Sequence, residues 1–494
     1  MGKNWRMFIK NNYENILFLF FMGCLAFLFL INSPLHPWLG ADTGTDSSVF
    51  KTLALQMEEG LMPYKDSFDH KGPLIYILNY WGNKISYYRG IWLIEFLFMT
   101  ITFFMIYKIA RLSCSIKNSF FVMLVSISLL FGYFEGGNLT EEYAMPFIAI
   151  AIYYFVDYLK NNKISKLRIL ISGINLGCIL LLRPNMIAVW FVFCIAIFIL
   201  TIKKQDWITL LKFVVYFTLG ITIILVPIII WLAINNSLIP FWNDYIVFNS
   251  IYSSTLFEAR WSSFWFFFDT IVFKLAFFGM LYTCNKRNKI LNITYLFYMI
   301  LNLLLISMSG RIYGHYGMVI VPAMAYPFSL IFEEIENIKI QDVCRTLAMI
   351  VGIYLMSVLI TPNWITLVKK IPYIYQNRNI ENNSGQVNTI IGIIDKYTEK
   401  DENISVYGNW NIIYVLSQRK PASIYSYQFP IGQVMPEIMD EYLKQLQKEL
   451  PPIIVIQQGI YPDNNMNNFL KANEYKIIWG EEGKSAESAL VYLR

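Results

Sequence analysis

The run ILFLFFMGCLAFLFLI, residues 16–31, is apolar throughout and follows the basic residues Lys3, Arg6 and Lys10. A helix needs ~20 predominantly apolar residues to cross a bilayer, and this run with its flanks is long enough. Its basic flank is also typical of a signal peptide, but the segment that follows, NSPLHPW, contains no small-residue cleavage site. We therefore predict an uncleaved first membrane span.

The rest of the chain repeats this apolar pattern. Of its 494 residues, 56% are hydrophobic and 17% aromatic, far more than in a typical soluble protein. Further spans are predicted near residues 91–109, 119–134, 143–159, 169–182, 186–202, 213–234, 264–283, 290–308, 314–332 and 346–361. The fold class is therefore a polytopic α-helical membrane protein with about eleven spans.

Lys and Arg collect in alternate loops between these spans, for example at Lys108/Arg111/Lys117 and at Lys160/Lys163/Lys166/Arg168. Basic loops mark the cytoplasmic side, so the N-terminus is predicted inside and, after an odd number of spans, the C-terminus outside. The predicted location is an integral position in a membrane. This asymmetry accounts for the net charge of +6 without a nucleic-acid partner.

Composition changes near residue 370, where charged and Asn residues return. The segments ISVYG, ASIYSY, PPIIVIQQ and YKIIWG predict short strands, separated by helices at 386–397, 434–449 and 464–473. We predict a transmembrane domain over 1–365 and a small extracytoplasmic α/β domain over 370–494. No GxGxxG or P-loop indicates a nucleotide site, and the six cysteines form no CxxC pair.

The predicted first outer loop, residues 32–90, concentrates charge in a chain that is only 15% charged. Within it, the spacing of Val49, Phe50, Leu53, Ala54 and Met57 predicts an amphipathic helix, too short to span and therefore lying at the membrane interface. A second short helix is predicted to begin at Pro73. The aromatic-rich loop 235–263 is also predicted outside, near the interface.

Asp46 opens the amphipathic helix and has two interpretations. It could be the N-cap, whose side chain accepts from free backbone N–H groups, or a general base that deprotonates an attacking hydroxyl. Asp42 is a second acidic candidate, although its neighbours Gly40 and Gly44 also suit a turn residue. A divalent cation held by Asp42 and Asp46 is left open, since hard cations need only oxygen ligands; three histidines without a paired spacing do not predict a transition-metal site.

Several basic residues at predicted outer ends are candidate contacts for an anionic substrate. Lys71 in DSFDHKGPL precedes a helix start, where anions bind readily, and Asp69 and His70 adjoin it; Asp66 is interpreted as a turn residue. Arg183 in LLRPN, with Arg311 and His315 in GRIYGHYG, could add donors to the same anion. Snorkelling toward lipid phosphates is the alternative for each arginine, and Glu141 and Glu142 are interpreted as first-turn carboxylates that offset a helix dipole.

Four segments occur in this order and on one predicted side of the membrane: DSSVF, DHKGPL, LLRPN and GRIYGHYG. In these segments the chain resembles the GT-C superfamily of integral-membrane glycosyltransferases. The similarity, over residues 1–361, is to the bacterial branch near lipid A aminoarabinose transferases and protein O-mannosyltransferases. It implies an inverting transfer of a sugar from a polyprenyl-phosphate-linked donor to an extracytoplasmic acceptor, a glycan, lipid or protein. The resemblance implies that Asp46 corresponds to the family's catalytic acidic residue. It also implies that Lys71 and Arg183, followed by Arg311 and His315, correspond to the family's phosphate contacts, and that the protein lies in the bacterial plasma membrane.

One departure and two alternatives accompany this resemblance. Relatives often carry an Asp-Glu pair where this chain has Asp46-Ser47, which leaves metal binding and the choice between Asp46 and Asp42 open. A transporter or flippase of lipid-linked saccharides would also explain the spans and the cationic outer ends, but not the acidic loop, and paired halves with broken helices are not found. A membrane scaffold that binds a wall polymer is the third class.

Overall fold

The computed structural model describes residues 2–36, 44–87, 89–163, 165–253, 257–284, 288–336, 343–376, 385–480 and 489–494. Its α-helices are, in chain order, α1 Gly2–Phe29, α2 Thr45–Glu58, α3 Pro73–Ile85, α4 Gly90–Ala110, α5 Ile116–Ser128, α6 Leu130–Tyr133, α7 Thr140–Asn161, α8 Lys166–Leu180, α9 Ala188–Lys203, α10 Trp207–Ile234, α11 Leu238–Phe241, α12 Phe248–Tyr252, α13 Phe257–Phe268, α14 Ile271–Thr283, α15 Lys289–Ile306, α16 Ile320–Glu336, α17 Val343–Gln376, α18 Gly385–Tyr397, α19 Ile412–Ser417, α20 Ile431–Val434, α21 Glu437–Glu449 and α22 Asn464–Ala472. Short 3-10 turns cover Leu30–Asn32, Pro184–Met186 and Gly314–Val319, and a π-helical segment covers Trp242–Val247.

The chain divides into two compact units. The first unit contains Met1–Ser33, Leu93–Ile228 and Ser253–Gln376, and the second contains Pro34–Trp92, Ile229–Tyr252 and Asn377–Arg494. The second unit therefore draws on three separate parts of the sequence. The predicted organisation into domains 1–365 and 370–494 stays a prediction.

Helices suited to a membrane lie between residues 14 and 334. In the described residues, 6 helices are long and apolar enough to cross a bilayer, or up to 7 if the pair α13 and α14, bent by 80°, is one span. The helices that qualify singly are Glu14–Asn32, Gly90–Ala110, Ile116–Tyr133, Trp207–Ile234, Lys289–Ile306 and Gly314–Glu334. They support an integral membrane protein, while the count of about eleven spans stays a prediction.

The second unit contains a four-stranded sheet in the order β1-β2-β4-β3. Its strands are β1 Ser405–Tyr407, β2 Ile453–Ile456, β3 Lys476–Trp479 and β4 Leu490–Leu493. β1 and β2 are parallel, and β4 runs antiparallel to both β2 and β3. Three of these strands were predicted from the sequence; β4 was missed.

The predicted strand ASIYSY is wrong. Ile404 forms two backbone hydrogen bonds at the start of this stretch: it donates to Lys420, which precedes the stretch, and accepts from Ala422, its first residue. Pro421 between them has no N–H to extend a ladder. Beyond it, the backbone N–H of Ile424 donates to the Gln445 side chain over 3.0 Å instead of to a neighbouring strand. The stretch is therefore an irregular connection whose backbone is held largely by other groups.

Helix α2 is embedded in the second unit. Its apolar stripe is buried, with Phe50 2% exposed and Leu53 1% exposed, and the Phe50 ring packs against Tyr76 of α3 with centroids 6.2 Å apart. On another face, Leu55 packs against the apolar cluster that includes Val415 of α19. The interpretation of α2 as a helix lying at the membrane interface is therefore wrong, because protein covers its apolar face.

Candidate active site

Asp46 lies in the first turn of α2, with its side chain partly buried. Gly44 is the N-cap of this helix, and its carbonyl accepts from the backbone N–H of Ser48 over 2.9 Å. The interpretation of Asp46 as the N-cap is therefore wrong. A carboxylate in the first turn still interacts favourably with the positive end of the helix dipole, and the helix places it at a defined position.

Asp69 is a buried carboxylate of the second unit, 1% exposed. Its oxygens accept from the hydroxyl groups of Tyr427 over 2.7 Å and Tyr76 over 2.8 Å, and from the backbone N–H of His70 over 2.8 Å. Burial raises the pKa of the Asp69 carboxyl, while the charge of Lys71 and these hydrogen bonds act in the opposite direction. Asp69 thus holds together parts of the chain that are far apart in sequence.

His70 is held on several sides. Its Nδ1 lies 3.3 Å from the Tyr427 hydroxyl and 3.5 Å from the Asp69 carboxylate. Its ring stacks on Tyr252 with centroids 5.4 Å apart, and its carbonyl accepts from the Asn249 amide over 2.6 Å. These contacts define one orientation of the imidazole, as a substrate-binding side chain requires.

Lys71 stands just before α3, at the place the sequence predicted. Gly72 is the N-cap of α3 and Pro73 its first residue. The Lys71 carbonyl accepts from the hydroxyls of Tyr64 over 2.8 Å and Tyr76 over 3.1 Å, so the backbone is fixed while the side chain stays partly exposed. An ammonium beside a helix N-terminus is a favourable place for an anion.

Asp46 also belongs to this group. The pKa of the Tyr427 hydroxyl is raised, first by its burial, then by Asp69, and further by the charge of Asp46. This effect indicates that Asp46 lies on the same side of the second unit as the Asp69–Tyr427 pair. Tyr427 contacts Asp69 and His70 directly, and Lys71 follows His70 in the chain.

In the first unit, Arg183 lies at the break between α8 and α9, where Pro184 starts a 3-10 turn. The predicted interruption of the apolar run at this point is confirmed. The guanidinium of Arg183 forms an ion pair with Glu141 and lies 4.0 Å from the centroid of the Tyr316 ring. Glu141 is 2% exposed, so it does more than offset the dipole of α7.

His315 and Arg311 complete the first-unit group. The Nδ1 of His315 lies 2.5 Å from a Glu135 oxygen, and the other Glu135 oxygen accepts from the backbone N–H of Gly314 over 2.9 Å. The hydrogen bond from His315 lowers the pKa of Glu135, although partial burial opposes this shift. The Arg311 carbonyl accepts from the Ser263 hydroxyl over 3.0 Å.

Arg183 and His315 both contact the Tyr316 ring: the guanidinium of Arg183 lies against it, and the His315 ring centroid is 4.8 Å from the Tyr316 ring centroid. Each of the two already has a carboxylate partner, Glu141 or Glu135. An anion that binds here would therefore share these cations with carboxylates.

In the described part of the chain, no group of three or more His, Cys, Asp or Glu side chains is arranged to hold a metal ion. Asp42, the other predicted acid, lies outside the described residues. The divalent cation considered from the sequence stays an alternative.

Residues 71–231 match the family described as dolichyl-phosphate-mannose-protein mannosyltransferase. The fold is also similar to that of ArnT from Cupriavidus metallidurans bound to undecaprenyl phosphate, with a TM-score of 0.61 and 11% identity over 97% of this chain and 98% of that chain. The resemblance to GT-C glycosyltransferases is confirmed. The apo state of the same ArnT gives a TM-score of 0.62, with 11% identity and 97% of both chains covered.

A further GT-C structure is similar to a smaller degree. The oligosaccharyltransferase of Archaeoglobus fulgidus, in complex with Zn and sulfate, gives a TM-score of 0.51 with 14% identity over 89% of this chain and 68% of that chain. A search of curated protein sequences finds no match. At these identities the structural similarity establishes the GT-C fold.

The sequence did not reveal three residues of these groups. Tyr427 lies in the stretch misread as a strand, and Asp244 lies in the loop 235–263, where aromatic residues drew attention instead. Glu135 lies in the turn FEGGNLTEE between two predicted spans. A carboxylate in a short outer turn beside an apolar helix was the available signal for Glu135; for Tyr427 there was none.

Asp244 is a second carboxyl near Asp69. It lies in the π-helical segment Trp242–Val247, and burial, together with the charge of Asp69, raises its pKa to about 8. Its own charge in turn raises the pKa values of Tyr64 and Tyr425. The second unit therefore contains a carboxyl group that changes its charge near neutral pH.

We expect Asp244→Asn to change how stability depends on pH. The Asp244 carboxyl has a pKa of about 8 in the folded protein, against a usual value of 3.8, so the folded state binds this proton more tightly. The stabilisation that the proton gives the wild-type protein is therefore complete below about pH 4 and is lost as the pH rises through about 8. The unfolding temperature of the Asn variant should rise relative to wild type over that range and then level off. Unfolding monitored from pH 4 to 9 tests this, with Asp440→Asn, at an exposed site, as control; parallel curves for wild type and Asp244→Asn would refute it.

Proposed function

We propose that this chain transfers a sugar from a polyprenyl-phosphate-linked donor to an acceptor on the outer face of the membrane, with inversion at the anomeric carbon and Asp46 as general base. The observation that carries the proposal is the position of Asp46. In a GT-C fold, it lies at the start of a buried helix and beside an ordered group that contains Asp69, His70 and Lys71.

The donor class is supported by the comparisons. The ArnT structure with a similar fold is bound to undecaprenyl phosphate, and the matching family is described as acting with dolichyl-phosphate-mannose. A sugar on a lipid phosphate already has a good leaving group, so this chemistry requires no nucleotide pocket. It requires a base for the acceptor and positive charge for the departing phosphate.

The acceptor hydroxyl loses its proton to the Asp46 carboxylate, and its oxygen forms a bond to the anomeric carbon from the face opposite the phosphate. The bond between the anomeric carbon and the phosphate oxygen breaks with its electron pair on oxygen. Polyprenyl phosphate leaves, and Lys71 stabilises its negative charge.

Further contacts to the donor are proposed on the first unit. Arg183, Arg311 and His315 are suitable as donors to phosphate oxygens, and Arg183 and His315 are held in place by Glu141 and Glu135. We also propose a plasma-membrane location, with the N-terminus cytoplasmic and the C-terminus and its α/β domain extracytoplasmic. This orientation would place the acidic and basic residues of 32–90 on the outer face.

A transfer assay tests the proposed function. The purified protein in proteoliposomes is given a panel of radiolabelled polyprenyl-phosphate sugars with glycan, lipid and peptide acceptors. We expect labelled glycoside and free polyprenyl phosphate to form together. Movement of an intact donor across the bilayer, with no cleavage, would instead indicate a transporter and refute the proposal.

Replacing Lys71 should impair transfer without unfolding the protein. Lys71→Gln removes a positive charge near the leaving phosphate, and we expect kcat/KM for the donor to fall by about 10- to 100-fold, since hydrogen bonds to charged groups contribute ~1.5–3 kcal/mol. Lys65→Gln is the matched control, because Lys65 lies exposed in the same loop. Equal activities of the two variants would contradict the assigned role.

A further inference from the structure

A cavity of about 480 Å³ lies within the second unit, away from the Asp69–Tyr427 pair. One wall is the C-terminal half of α2, including Leu55, Glu58 and Glu59, and another is the stretch that includes Gln418 and Lys420. Ligand pockets in proteins measure ~300–1,000 Å³. This cavity is therefore large enough for a small ligand and takes no part in the chemistry proposed above.

The cationic side chains of the cavity are already bound to protein groups. Lys420 forms an ion pair with Glu59 at 2.7 Å. Arg419, which is 5% exposed, donates to Thr398 and pairs with Asp395 at 3.2 Å. Since the positive charges are balanced by nearby carboxylates, the cavity favours a neutral ligand over an anionic one.

The remaining groups match a sugar. Two tyrosines are among the lining residues: Tyr87 is partly exposed, and Tyr414 is 2% exposed. Gln418 contributes an exposed amide on a backbone of positive φ, 53°. Amides and carboxylates offer both donors and acceptors of the kind that sugar hydroxyls need, and tyrosine presents an apolar ring beside a polar tip. A neutral saccharide suits such a lining, because its hydroxyl groups can bond to the polar side chains while the apolar face of its ring packs against an aromatic ring.

The cavity begins further along α2 than the proposed base. A helix rises 1.5 Å per residue, so the α2 residues that line the cavity, from Thr52 to Glu58, lie ~9–18 Å beyond Asp46 along the helix axis. The same rigid helix sets the position of a ligand in the cavity relative to Asp46.

We propose that this cavity binds a neutral saccharide portion of the acceptor, away from the hydroxyl that receives the sugar. The acceptor assignment rests on the proposed function; the saccharide site itself does not. Gln418 contributes hydrogen bonds, and because Lys420 already pairs with Glu59, this lysine adds no unbalanced positive charge that would favour an anionic sugar.

Equilibrium binding to the full chain in nanodiscs tests this proposal. The probes are neutral trisaccharides of glucose, galactose, mannose and N-acetylglucosamine, with trigalacturonic acid as the anionic probe. We expect at least one neutral trisaccharide to bind saturably and more tightly than trigalacturonic acid. Gln418→Ala should weaken that binding about three- to tenfold, the effect of one lost hydrogen bond, and Glu59→Gln should narrow the preference for the neutral probe.

Two variants make the outcome specific. Lys444→Ala, at an exposed position of α21, should bind the probes as wild type does. Asp46→Asn should keep trisaccharide binding even where transfer is lost, so that binding and chemistry are measured separately. If none of the neutral trisaccharides binds, or if Gln418→Ala binds them as wild type does, the saccharide site is wrong and the proposed transfer is unaffected. If wild type binds a trisaccharide but transfers no sugar from any donor, the proposed function is wrong and the saccharide site stands.

Discussion

Asp46→Asn should lower the rate of sugar transfer by about 10²- to 10⁴-fold, the range that a positioned general base contributes. Asparagine has nearly the same shape but cannot take the proton of the acceptor hydroxyl. Because Gly44, not Asp46, caps α2, the substitution removes no capping bond, and we expect the unfolding temperature to change little. Initial rates with saturating donor, together with thermal unfolding of the same preparation, give the measurement.

The control for this variant is Asp66→Asn. Asp66 lies in the same predicted outer loop, where its carboxylate accepts from the backbone N–H of Met62 over 2.8 Å, a bond that an asparagine oxygen can also accept. We expect it to retain transfer. Full activity in Asp46→Asn would exclude Asp46 as the base. If wild-type transfer stops in EDTA and returns with Mg²⁺, the carboxylate acts through a metal, and the direct proton transfer proposed here is wrong.

Asp69→Ala should cause a large loss of stability. It removes a carboxylate that is 1% exposed and leaves the hydroxyls of Tyr76 and Tyr427 and the N–H of His70 without this acceptor. A buried donor left without an acceptor costs ~1–3 kcal/mol. Because three donors lose this acceptor, we expect the free energy of unfolding to fall by about 3 kcal/mol or more. Denaturant unfolding of the protein in micelles measures it.

Tyr427→Phe is the graded comparison for Asp69→Ala. It removes one hydrogen bond and keeps the ring, so the expected loss is ~0.5–1.5 kcal/mol, clearly smaller than that of Asp69→Ala. Transfer should also fall in this variant, because Tyr427 orients Asp69 and contacts His70. A loss in Asp69→Ala no larger than in Tyr427→Phe would show that the carboxylate is not the centre of the group.

Local sequence was sufficient wherever neighbours along the chain decide the structure. The apolar periodicity at 49–57 predicted α2, Pro73 predicted the start of α3, and the break at Arg183-Pro184 was predicted as such. Each depends on a property of a few adjacent residues: side-chain spacing, the fixed φ of proline, or its missing N–H.

Burial and partners could not be predicted in the same way. The stripe on α2 was assigned to the membrane interface because a sequence does not distinguish lipid from protein as the cover of an apolar face. ASIYSY has the composition of a strand, yet Pro421 and the bond from Ile424 to Gln445 divert its backbone. The N-cap of α2 was placed two residues too late, an error within the usual uncertainty of helix ends.

The sequence alone determined that this is a membrane protein with a charged loop after its first span, since length, apolarity and charge are properties of composition. It also identified Asp46, Asp69, His70 and Lys71 as candidates. Only the tertiary structure decided that Asp69 and His70 contact Tyr427, 358 positions beyond Asp69. It also decided that Arg183 and His315 already have carboxylate partners. Contacts between distant residues depend on how whole helices and strands pack, and no local pattern records that.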